Sequence, residues 1–576
     1  MTNEDRPGID RSAALSHPID RRSVLRGAAV VGAGVAAAAA LARTGHAQDA
    51  TSAQTPPDAT PLAATPTAGP GGSQIVTSTV EGVPDVYLTS PQPFTSYEGV
   101  PGSGGSVRVF MISYSPPPPA RDQNQYWQEL EKRLGVTWEI DLTPQPSYGE
   151  KSATYFAGGD LPDLFYLNPE QNAPQQYQAM AQGAFLDLEP YVTGDALQQF
   201  KNLATFPQYA WDNARFQGTL YGVPKVQPKI GNLGFYRSDW ARKFGVTPND
   251  PESLRSFLTQ CTTGDPDGNG NPDTWGSGRF ENGWRAWDNA SMSQMFRVPF
   301  NWRRNDDGTL TYMIETDEYR QFLQYQAELY AAGAFHPDAA GMTFSDAQNA
   351  FIAGETGFHY EGFPSFYGTG SVTDRMQQAN AGGTDTYITP VGSDGQPGIV
   401  YNGVGHFGYV GIPASLSGND DRINELLRIL DYLAAPFGSE EFTFLNNGIE
   451  GVHSDRNAGG NLILNDRGRS EKSDLPSPMN GLPVFFYPED PTIGLAIQQG
   501  GYASVGLGID DPTLGLYSAA NIENGPALTQ LGTDTVTAII TGRQGIDSLD
   551  AAIEEWKSRG GDQIRQDFQE ALQQQG

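Results

Sequence analysis

The sequence predicts an α/β fold made of two units. Between residues 107 and 167, the patterns follow the order strand, helix, strand, helix, strand, which builds a parallel sheet with right-handed crossovers. Residues 219–240 (TLYGVPKVQPKIGNLGFYRSDW) contain two short apolar runs interrupted by glycine and proline, and we interpret them as a crossover between the units. The length of 576 residues is sufficient for two or three domains.

Residues 1–47 are predicted to be an export signal. Arg21 and Arg22 precede a mild apolar run at 27–42, and Gly45-His46-Ala47 provides a small-x-small cleavage site. The paired arginines are typical of a twin-arginine signal, which exports folded proteins. The alternative is a membrane anchor, for which this Ala- and Gly-rich run is short and weakly apolar. Residues 48–75, dominated by Thr, Pro, Ala and Gly, are predicted to form a disordered tether.

The first unit is predicted to place candidate ligand residues at one edge of its sheet. A helix is expected at 122–134, with strands at 107–112, 136–142 and 163–167. Ligands of such sheets bind beyond the carboxyl ends of the strands. This rule predicts a cleft near four residues, for which an ordinary surface-loop position is the alternative: Tyr114, Ser115, Tyr166 and Asn168.

The second unit begins with two predicted helices. Ser238 and Asp239 are positioned to cap the first, and Gly245 ends it. Asp250 caps the second, whose apolar face includes Cys261. We therefore predict a core thiol. A reactive thiol is the alternative, but no basic neighbour in the sequence would lower the pKa of Cys261.

Residues 265–276 match the calcium loop of an EF-hand. Oxygen-bearing side chains stand at loop positions one, three, five, seven and nine, and Gly270 stands at position six, where the sharp turn needs it. The predicted ligands of a structural Ca²⁺ are Asp265, Asp267, Asn269, Asn271 and Asp273. The departure is Gly276, which replaces the bidentate Glu at position twelve, so a further ligand must come from elsewhere. A solvated Asx/Gly turn is the alternative.

Several short motifs, in order along residues 105–576, resemble one family. They are residues 159–166 (GDLPDLFY), 221–224 (YGVP), 351–357 (FIAGETG), 448–453 (GIEGVH) and 540–544 (ITGRQ). They are similar to those of the family 1 extracellular solute-binding proteins of ABC importers, which mostly bind carbohydrates. The loop at 265–276 is similar to one in the alginate-oligosaccharide-binding branch of that family.

The resemblance implies a type II-like periplasmic-binding-protein fold of two α/β lobes, with several crossovers and a ligand cleft that closes by hinge motion. It assigns 76–225 and 405–450 to the first lobe, and 226–404 and 451–576 to the second. It also implies delivery of the ligand to the transmembrane subunits of an ABC permease. From the predicted export signal we expect an exported, envelope-associated protein, and we expect a monomer.

A carbohydrate site combines aromatic platforms for the C–H faces of sugars with polar side chains for their hydroxyl groups. The candidates in predicted cleft segments are Tyr114, Tyr236, Trp284, Trp287, Tyr360, Glu361, Phe363 and Tyr401. For each aromatic residue, the alternative interpretation is that it packs in the hydrophobic core. Asp163 and Arg237 are weaker polar candidates, which a helix cap or an ion pair would explain equally well.

The composition and the missing motifs limit the other functions. Sixty-seven acidic residues against 36 basic ones give a net charge of −31, which argues against nucleic acid and anionic membranes and favours neutral or cationic ligands. The single cysteine excludes an intrachain disulfide framework. No His-Glu-x-x-His, Gly-x-Ser-x-Gly or phosphate-binding Gly-x-x-x-x-Gly-Lys motif is present. A secreted glycan-active hydrolase with an Asp/Glu pair stays as the alternative function, because such a pair has no sequence signature.

Overall fold

The structure, a computed structural model, describes residues 66–169, 175–280, 283–284, 290–362, 366, 372–379, 386–457, 459–488 and 490–575. The predicted export signal, residues 48–65 of the predicted tether, Trp287 and Phe363 lie outside the described residues. Within the described ranges, no helix combines the length and the hydropathy that a membrane span needs.

The strands are short, and the longest have eight residues. They are β1 (Thr67–Ala68), β2 (Gln74–Val76), β3 (Val86–Tyr87), β4 (Ser106–Ser113), β5 (Thr137–Pro144), β6 (Leu164–Leu167), β7 (Arg215–Phe216), β8 (Thr219–Leu220), β9 (Val223–Val226), β10 (Asn232–Tyr236), β11 (Trp275–Ser277), β12 (Trp302–Arg304), β13 (Leu310–Tyr312), β14 (Thr356–Gly362), β15 (Thr386–Tyr387), β16 (Val400–Tyr401), β17 (His406–Gly411), β18 (Ser454–Arg456), β19 (Leu462–Leu464), β20 (Phe485–Phe486) and β21 (Gly508–Ile509).

The helices pack around these sheets. They are α1 (Gln125–Leu134), α2 (Gln145–Gly158), α3 (Gln175–Ala181), α4 (Glu189–Val192), α5 (Gly194–Leu197), α6 (Gln208–Asn213), α7 (Ser238–Phe244), α8 (Pro251–Thr263), α9 (Ala290–Met295), α10 (Asp317–Ala331), α11 (Phe344–Ala353), α12 (Val372–Gln378), α13 (Asp420–Leu433), α14 (Glu440–Asn447), α15 (Asp466–Lys472), α16 (Pro491–Gly506), α17 (Ala519–Ile540), α18 (Ser548–Trp556) and α19 (Asp562–Gln575).

The first sheet has the order β5-β4-β6-β17-β9. Strands β4, β5 and β6 are parallel to one another, which confirms the predicted strand–helix alternation. Strand β17 runs antiparallel to both of its neighbours, β6 and β9. A cluster of buried hydrophobic side chains, which includes Phe110, Trp138 and Phe165, surrounds this sheet.

The second sheet has the order β11-β14-β10-β15. Strand β14 pairs antiparallel with β10 and parallel with β11. A second hydrophobic cluster, which includes Phe257, Phe322 and Trp556, joins this sheet to the C-terminal helices. Cys261 is fully buried in this cluster, as predicted, and burial raises the pKa of its thiol well above the ordinary value.

The chain passes between the two sheets where residues 219–240 predict a crossover. It leaves the first sheet at Val226 and enters the second at Asn232. It returns to the first sheet at His406, after β16, which ends at Tyr401 and pairs with β21 in a separate two-stranded sheet. The two passing segments touch through their backbones: the Gly403 N–H donates to the Lys229 carbonyl over 2.9 Å. A Cβ on Gly231 would lie 1.8 Å from the Tyr401 carbonyl oxygen, so only glycine fits there.

The residue ranges of the two lobes stay a prediction, and the hydrophobic clusters cross those ranges at two places. Val76, Val83 and Val86 pack in a third cluster that also contains Leu233, a residue of the second sheet. Leu475 and Met479, from the C-terminal part of the chain, pack in the cluster of the first sheet.

Two local predictions are wrong. Residues 66–75, assigned to the disordered tether, include the hairpin β1–β2, because backbone pairing across the turn at Gly71 and Gly72 needs no large apolar side chain. Helix α7 ends at Gly245 as predicted, but Ser238 and Asp239 do not cap it. Its N-cap is Arg237, which has no capping hydrogen bond and instead donates to the Asp239 carboxylate over 2.7 Å.

The close approach at Gly231 predicts a steric penalty. Gly231→Ala should destabilise the protein by at least about 2 kcal/mol, because the new methyl group meets backbone that has little room to move. Gly158→Ala is the matched control, since a Cβ there has no heavy atom within 4 Å. Thermal unfolding measures both, and equal melting temperatures for the two variants would contradict this close approach.

Asp431 predicts a pH-dependent stability. Burial raises the pKa of Asp431 to about 6, although its Oδ1 accepts the N–H groups of Leu203 and Asn202. In the unfolded chain this carboxyl has an ordinary pKa of about 3.9. Because its pKa is higher in the folded state, the folded state loses stability as the pH rises from about 4 to about 6.

Asp431→Asn keeps an oxygen for both N–H groups and removes the buried charge. It should raise the unfolding free energy at pH 7 by up to about 2 kcal/mol, with no gain at pH 4. Urea unfolding at the two pH values measures the difference, with the exposed Asp421→Asn as control. A gain that is the same at both pH values would count against this explanation.

Candidate ligand site at the crossover

The candidate site lies at the edge of the first sheet from which the chain crosses to the second. Strands β4, β6 and β9 end there at Ser113, Leu167 and Val226, and antiparallel β17 starts there at His406. Ligands of parallel sheets bind beyond this carboxyl edge. The strand directions therefore bring together loops that are far apart in the sequence.

Asp474 fixes the loop that follows β4. Its carboxylate accepts the Ser113 hydroxyl over 2.7 Å and the N–H groups of Tyr114 and Ser115, each over 3.1 Å. The Tyr114 ring is 60% exposed, and its centroid lies 5.9 Å from that of Phe407. An exposed aromatic ring on a fixed backbone is suited to stack on the face of a sugar. Among the predicted platforms that the structure describes, Tyr114 is the one at this edge.

Tyr166 and Asn168 lie at the end of β6, and both are buried. The Asn168 N–H donates to Gln176 Oε1 over 2.7 Å. Both polar atoms of the Asn168 side chain lack a hydrogen-bond partner among the described residues. Since a buried amide without partners costs free energy, this position favours a bound polar group, such as water or a ligand hydroxyl. The Tyr166 ring lies under Lys225, whose Nζ is 6.0 Å from the ring centroid.

A cavity of about 190 Å³ opens beside the crossover. Its lining comes from both sides of the crossover and includes Asp212, Arg215, Lys229, Phe300, Asn402 and Asp510. The Phe300 ring stacks on Tyr401 with centroids 4.7 Å apart, and Asn402 Nδ2 donates to Asp510 over 2.9 Å. The cavity is therefore mostly polar with one aromatic surface. The sequence did not predict these lining residues as ligand-binding residues, because no sequence motif identifies the segments that the pairing of β16 with β21 brings together.

Four predicted aromatic platforms lie in the core of the second sheet. Tyr236, Trp284, Tyr360 and Tyr401 are only 1–6% exposed. Trp284 Nε1 donates to the Leu528 carbonyl over 2.9 Å, and the Tyr401 hydroxyl donates to the Val298 carbonyl over 3.0 Å. None of the four presents a ring face to solvent in this structure, so their positions favour the core alternative. Their ligand-binding role stays a prediction.

The predicted polar candidates are engaged in internal contacts. Glu361 Oε2 accepts Gln348 Nε2 over 2.8 Å and lies 3.5 Å from His359 Nε2. Asp163 precedes β6, at the edge opposite the site, and lies 3.1 Å from Arg422. The Arg237 guanidinium pairs with Asp239 and lies over the Trp240 ring, 4.6 Å from its centroid. These contacts favour the ion-pair alternative for Asp163 and Arg237.

In the calcium-type loop, two carboxylates converge on one amide nitrogen. Asn269 Nδ2 donates to Asp267 Oδ2 over 2.6 Å and to Asp273 Oδ2 over 3.1 Å. Asp265 Oδ2 accepts the Gly270 N–H, whereas Asp265 Oδ1 is buried and has no hydrogen-bond partner among the described residues. The amide hydrogens of Asn269 thus lie between the carboxylates of Asp267 and Asp273, at the point where a bound cation would attract the same oxygens. Rotating the amide by 180° would present its oxygen to the same point.

The absent twelfth ligand has a steric cause. Gly276 lies in β11, and a Cβ there would be 2.7 Å from the carbonyl oxygens of both Leu258 and Ala334. No glutamate can occupy that position. Within the described residues, no three Asp, Glu, His or Cys side chains are arranged to hold a metal ion. The loop therefore offers hard oxygen ligands, of which two carboxylates, those of Asp267 and Asp273, converge on one point.

Comparisons with known proteins agree on one family. The family model described as "Bacterial extracellular solute-binding protein" matches residues 119–436, which is more than half of the chain. Lipoprotein LipO of Bacillus subtilis (strain 168) is 25% identical over 490 residues, covering 82% of this chain and 93% of LipO.

Two solved structures share the fold. The Streptococcus pneumoniae ABC-transporter substrate-binding protein FusA in complex with kestose has a TM-score of 0.58 and 18% identity, covering 82% of this chain and 99% of FusA. The alginate-binding protein AlgQ2 without calcium ion has a TM-score of 0.57 and 16% identity, covering 81% and 97% of the two chains. Proteins of this family have two lobes, so the predicted two-lobed α/β fold is confirmed.

Proposed function

The chain belongs to the bacterial extracellular solute-binding protein family, and from this membership we propose that it is the receptor of an ABC importer for a carbohydrate. The ligand, which we take to be an oligosaccharide, binds at the crossover between the lobes and is delivered to the transmembrane permease. The observation that carries the proposal is the exposed Tyr114 ring, which Asp474 fixes at the carboxyl edge of the first sheet.

The chemistry of the site fits a sugar. A pyranose ring has an apolar C–H face, which stacks on an aromatic ring, and a polar edge that needs several hydrogen bonds. Tyr114 offers the ring, and the buried Asn168 amide offers a donor and an acceptor nearby along the same edge. FusA, which shares the fold, was solved with kestose, and AlgQ2 is an alginate-binding protein.

We further propose that residues 1–47 direct export, so that the protein works as an envelope-associated monomer outside the cytoplasm. A structural Ca²⁺ in the loop at 265–276 is part of the proposal. Asp265, Asp267, Asn269, Asn271 and Asp273 would hold the ion, and it would take no part in ligand chemistry. The buried Asp265 Oδ1, which has no hydrogen-bond partner among the described residues, supports this assignment.

Ligand binding should appear as thermal stabilisation by one class of oligosaccharide. A ligand at one hundred times its dissociation constant adds about 2.7 kcal/mol to the unfolding free energy. Tyr114→Ala should weaken binding about tenfold, because it removes a stacking surface worth about 1 kcal/mol. Titration calorimetry measures the affinity, with Tyr191→Ala as control, because the Tyr191 hydroxyl contacts Asp420 away from this edge.

Two outcomes would contradict the receptor proposal. One is the absence of stabilisation by every oligosaccharide tested. The other is the release of new reducing ends during the incubation, which would support the glycan-active hydrolase instead. Equal affinities of the wild-type protein and the Tyr114→Ala variant would show that Tyr114 does not contact the ligand.

Calcium should raise the melting temperature of the wild-type protein, and a chelator should lower it. Asp267→Ala should abolish both effects, because it removes one of the two carboxylates that converge in the loop. Asp306→Ala, an exposed acidic residue outside the loop, should change neither. Titration calorimetry with Ca²⁺ alone measures the stoichiometry. No binding to the wild-type protein would leave residues 265–276 as a solvated turn.

A further inference from the structure

The lysines of this chain divide into two groups. Of the eight lysines, all of which lie in the described ranges, four are paired and one is exposed. Lys132, Lys151 and Lys557 form ion pairs, Lys243 donates to backbone carbonyls, and Lys201 faces solvent.

The other three, which we call the crossover lysines, are Lys225, Lys229 and Lys472. Each is half-buried, and none has an ion pair within 4.0 Å or a side-chain hydrogen bond among the described residues. Lys225 ends on the carboxyl edge of the first sheet, in β9. Lys229 lines the cavity, with its Nζ 5.9 Å from the Tyr209 ring centroid. These cations therefore collect at the candidate ligand site.

Lys225 and Lys472 share a single nearby carboxylate. Asp474 interacts electrostatically with both, but it makes no ion pair within 4.0 Å with either. Its oxygens already accept the hydroxyl and N–H groups of Ser113, Tyr114 and Ser115. Two ammonium groups and one engaged carboxylate leave a local excess of one positive charge.

This arrangement costs free energy in the absence of a ligand. Burial lowers the pKa of Lys225 to about 8, which the attraction of Asp474 opposes and the repulsion of Lys472 reinforces. Burial also lowers the pKa of Lys472. Partly desolvated cations without a counter-ion at a binding edge are a feature of functional sites, where a ligand supplies the opposite charge.

We propose that Lys225 and Lys472 bind the carboxylate of an acidic sugar, so that the cargo is an oligosaccharide containing uronic acid. The inference rests on the proposed carbohydrate function and names the class of sugar. The ring of the acidic sugar stacks on Tyr114, which Asp474 holds beside the two lysines.

Three aspartates, Asp212, Asp510 and Asp511, line the cavity and keep their negative charge. Asp510 and Asp511 accept hydrogen bonds from Asn402 Nδ2 and Asn301 Nδ2, and these neutral amides do not cancel that charge. The assignment therefore places the acidic sugar at Lys225 and Lys472, which lie outside the cavity lining. The net charge of −31, which by itself favours a neutral or cationic ligand, is screened beyond about 8 Å at physiological ionic strength. The charges at the site therefore decide the preference.

Titration calorimetry at pH 7 tests the proposal. The probes are short oligomers of galacturonic, glucuronic and mannuronic acid, each with its counterpart in which the carboxyl groups are reduced to alcohols. At least one acidic oligomer should bind about tenfold or more tightly than its neutral counterpart. Lys225→Met and Lys472→Met should each weaken binding of the acidic oligomer about tenfold, which is a larger loss than for its neutral counterpart. Lys201→Met, at the exposed lysine, is the matched control.

A second measurement on the wild-type protein does not depend on how the variants fold. The affinity for the acidic oligomer should fall as the pH rises from 7 to 9, because Lys225 loses its proton near pH 8 in the free protein. The groups that face Lys225 are Asp474, Lys472 and the Tyr166 ring. The affinity for the neutral counterpart should stay constant.

Neutral oligomers that bind as tightly as acidic ones, with lysine variants that change neither affinity, would overturn the inference and leave the receptor proposal intact. An affinity for the acidic oligomer that is constant from pH 7 to 9 would also overturn it. No binding of any oligosaccharide would overturn both proposals together.

Discussion

The backbone contact between the two passing segments is the constraint on which the site depends. Gly403 donates to the Lys229 carbonyl, and Gly231 approaches the Tyr401 carbonyl so closely that no side chain fits. This contact fixes where the chain leaves the first sheet and where it returns. The ends of four strands, the exposed Tyr114 ring and the polar cavity take their positions from that geometry. The hinge closure that the resemblance predicts would move the parts that these two segments connect.

Charge acts on two length scales in this protein. The chain as a whole is strongly acidic, yet three half-buried lysines gather at the crossover. Asp474 attracts Lys225 electrostatically but makes no ion pair within 4.0 Å with it, while its oxygens accept hydrogen bonds from the loop after β4. A net charge calculated from composition describes solubility and long-range attraction, whereas the preference of a site depends on the few groups within a Debye length of it.

The sequence predicted the features that local patterns encode. The parallel strands, the crossover, the helix that Asp250 caps and the buried Cys261 all follow from periodicity, glycine and proline within short windows. The orientation of the aromatic residues in the second unit was harder to predict. The sequence shows that Trp284 is large and apolar, but it does not show whether the side chain faces the core or the solvent. Its indole donates to Leu528, 244 residues later. Asp474 and Lys472 were missed for the same reason, since only the folded chain brings them to the end of β4.

The hydrogen bond between Ser113 and Asp474 has a consequence for folding during synthesis. It joins residues 361 positions apart, and Leu475 and Met479 complete the hydrophobic cluster of the first sheet. A ribosome therefore has to release most of the chain before the earliest sheet can close its core. Contacts of such long sequence separation slow folding and prolong the exposure of apolar surface. In this topology the apolar surface of the first sheet stays incompletely covered late into synthesis, until residues 474–479 have left the ribosome.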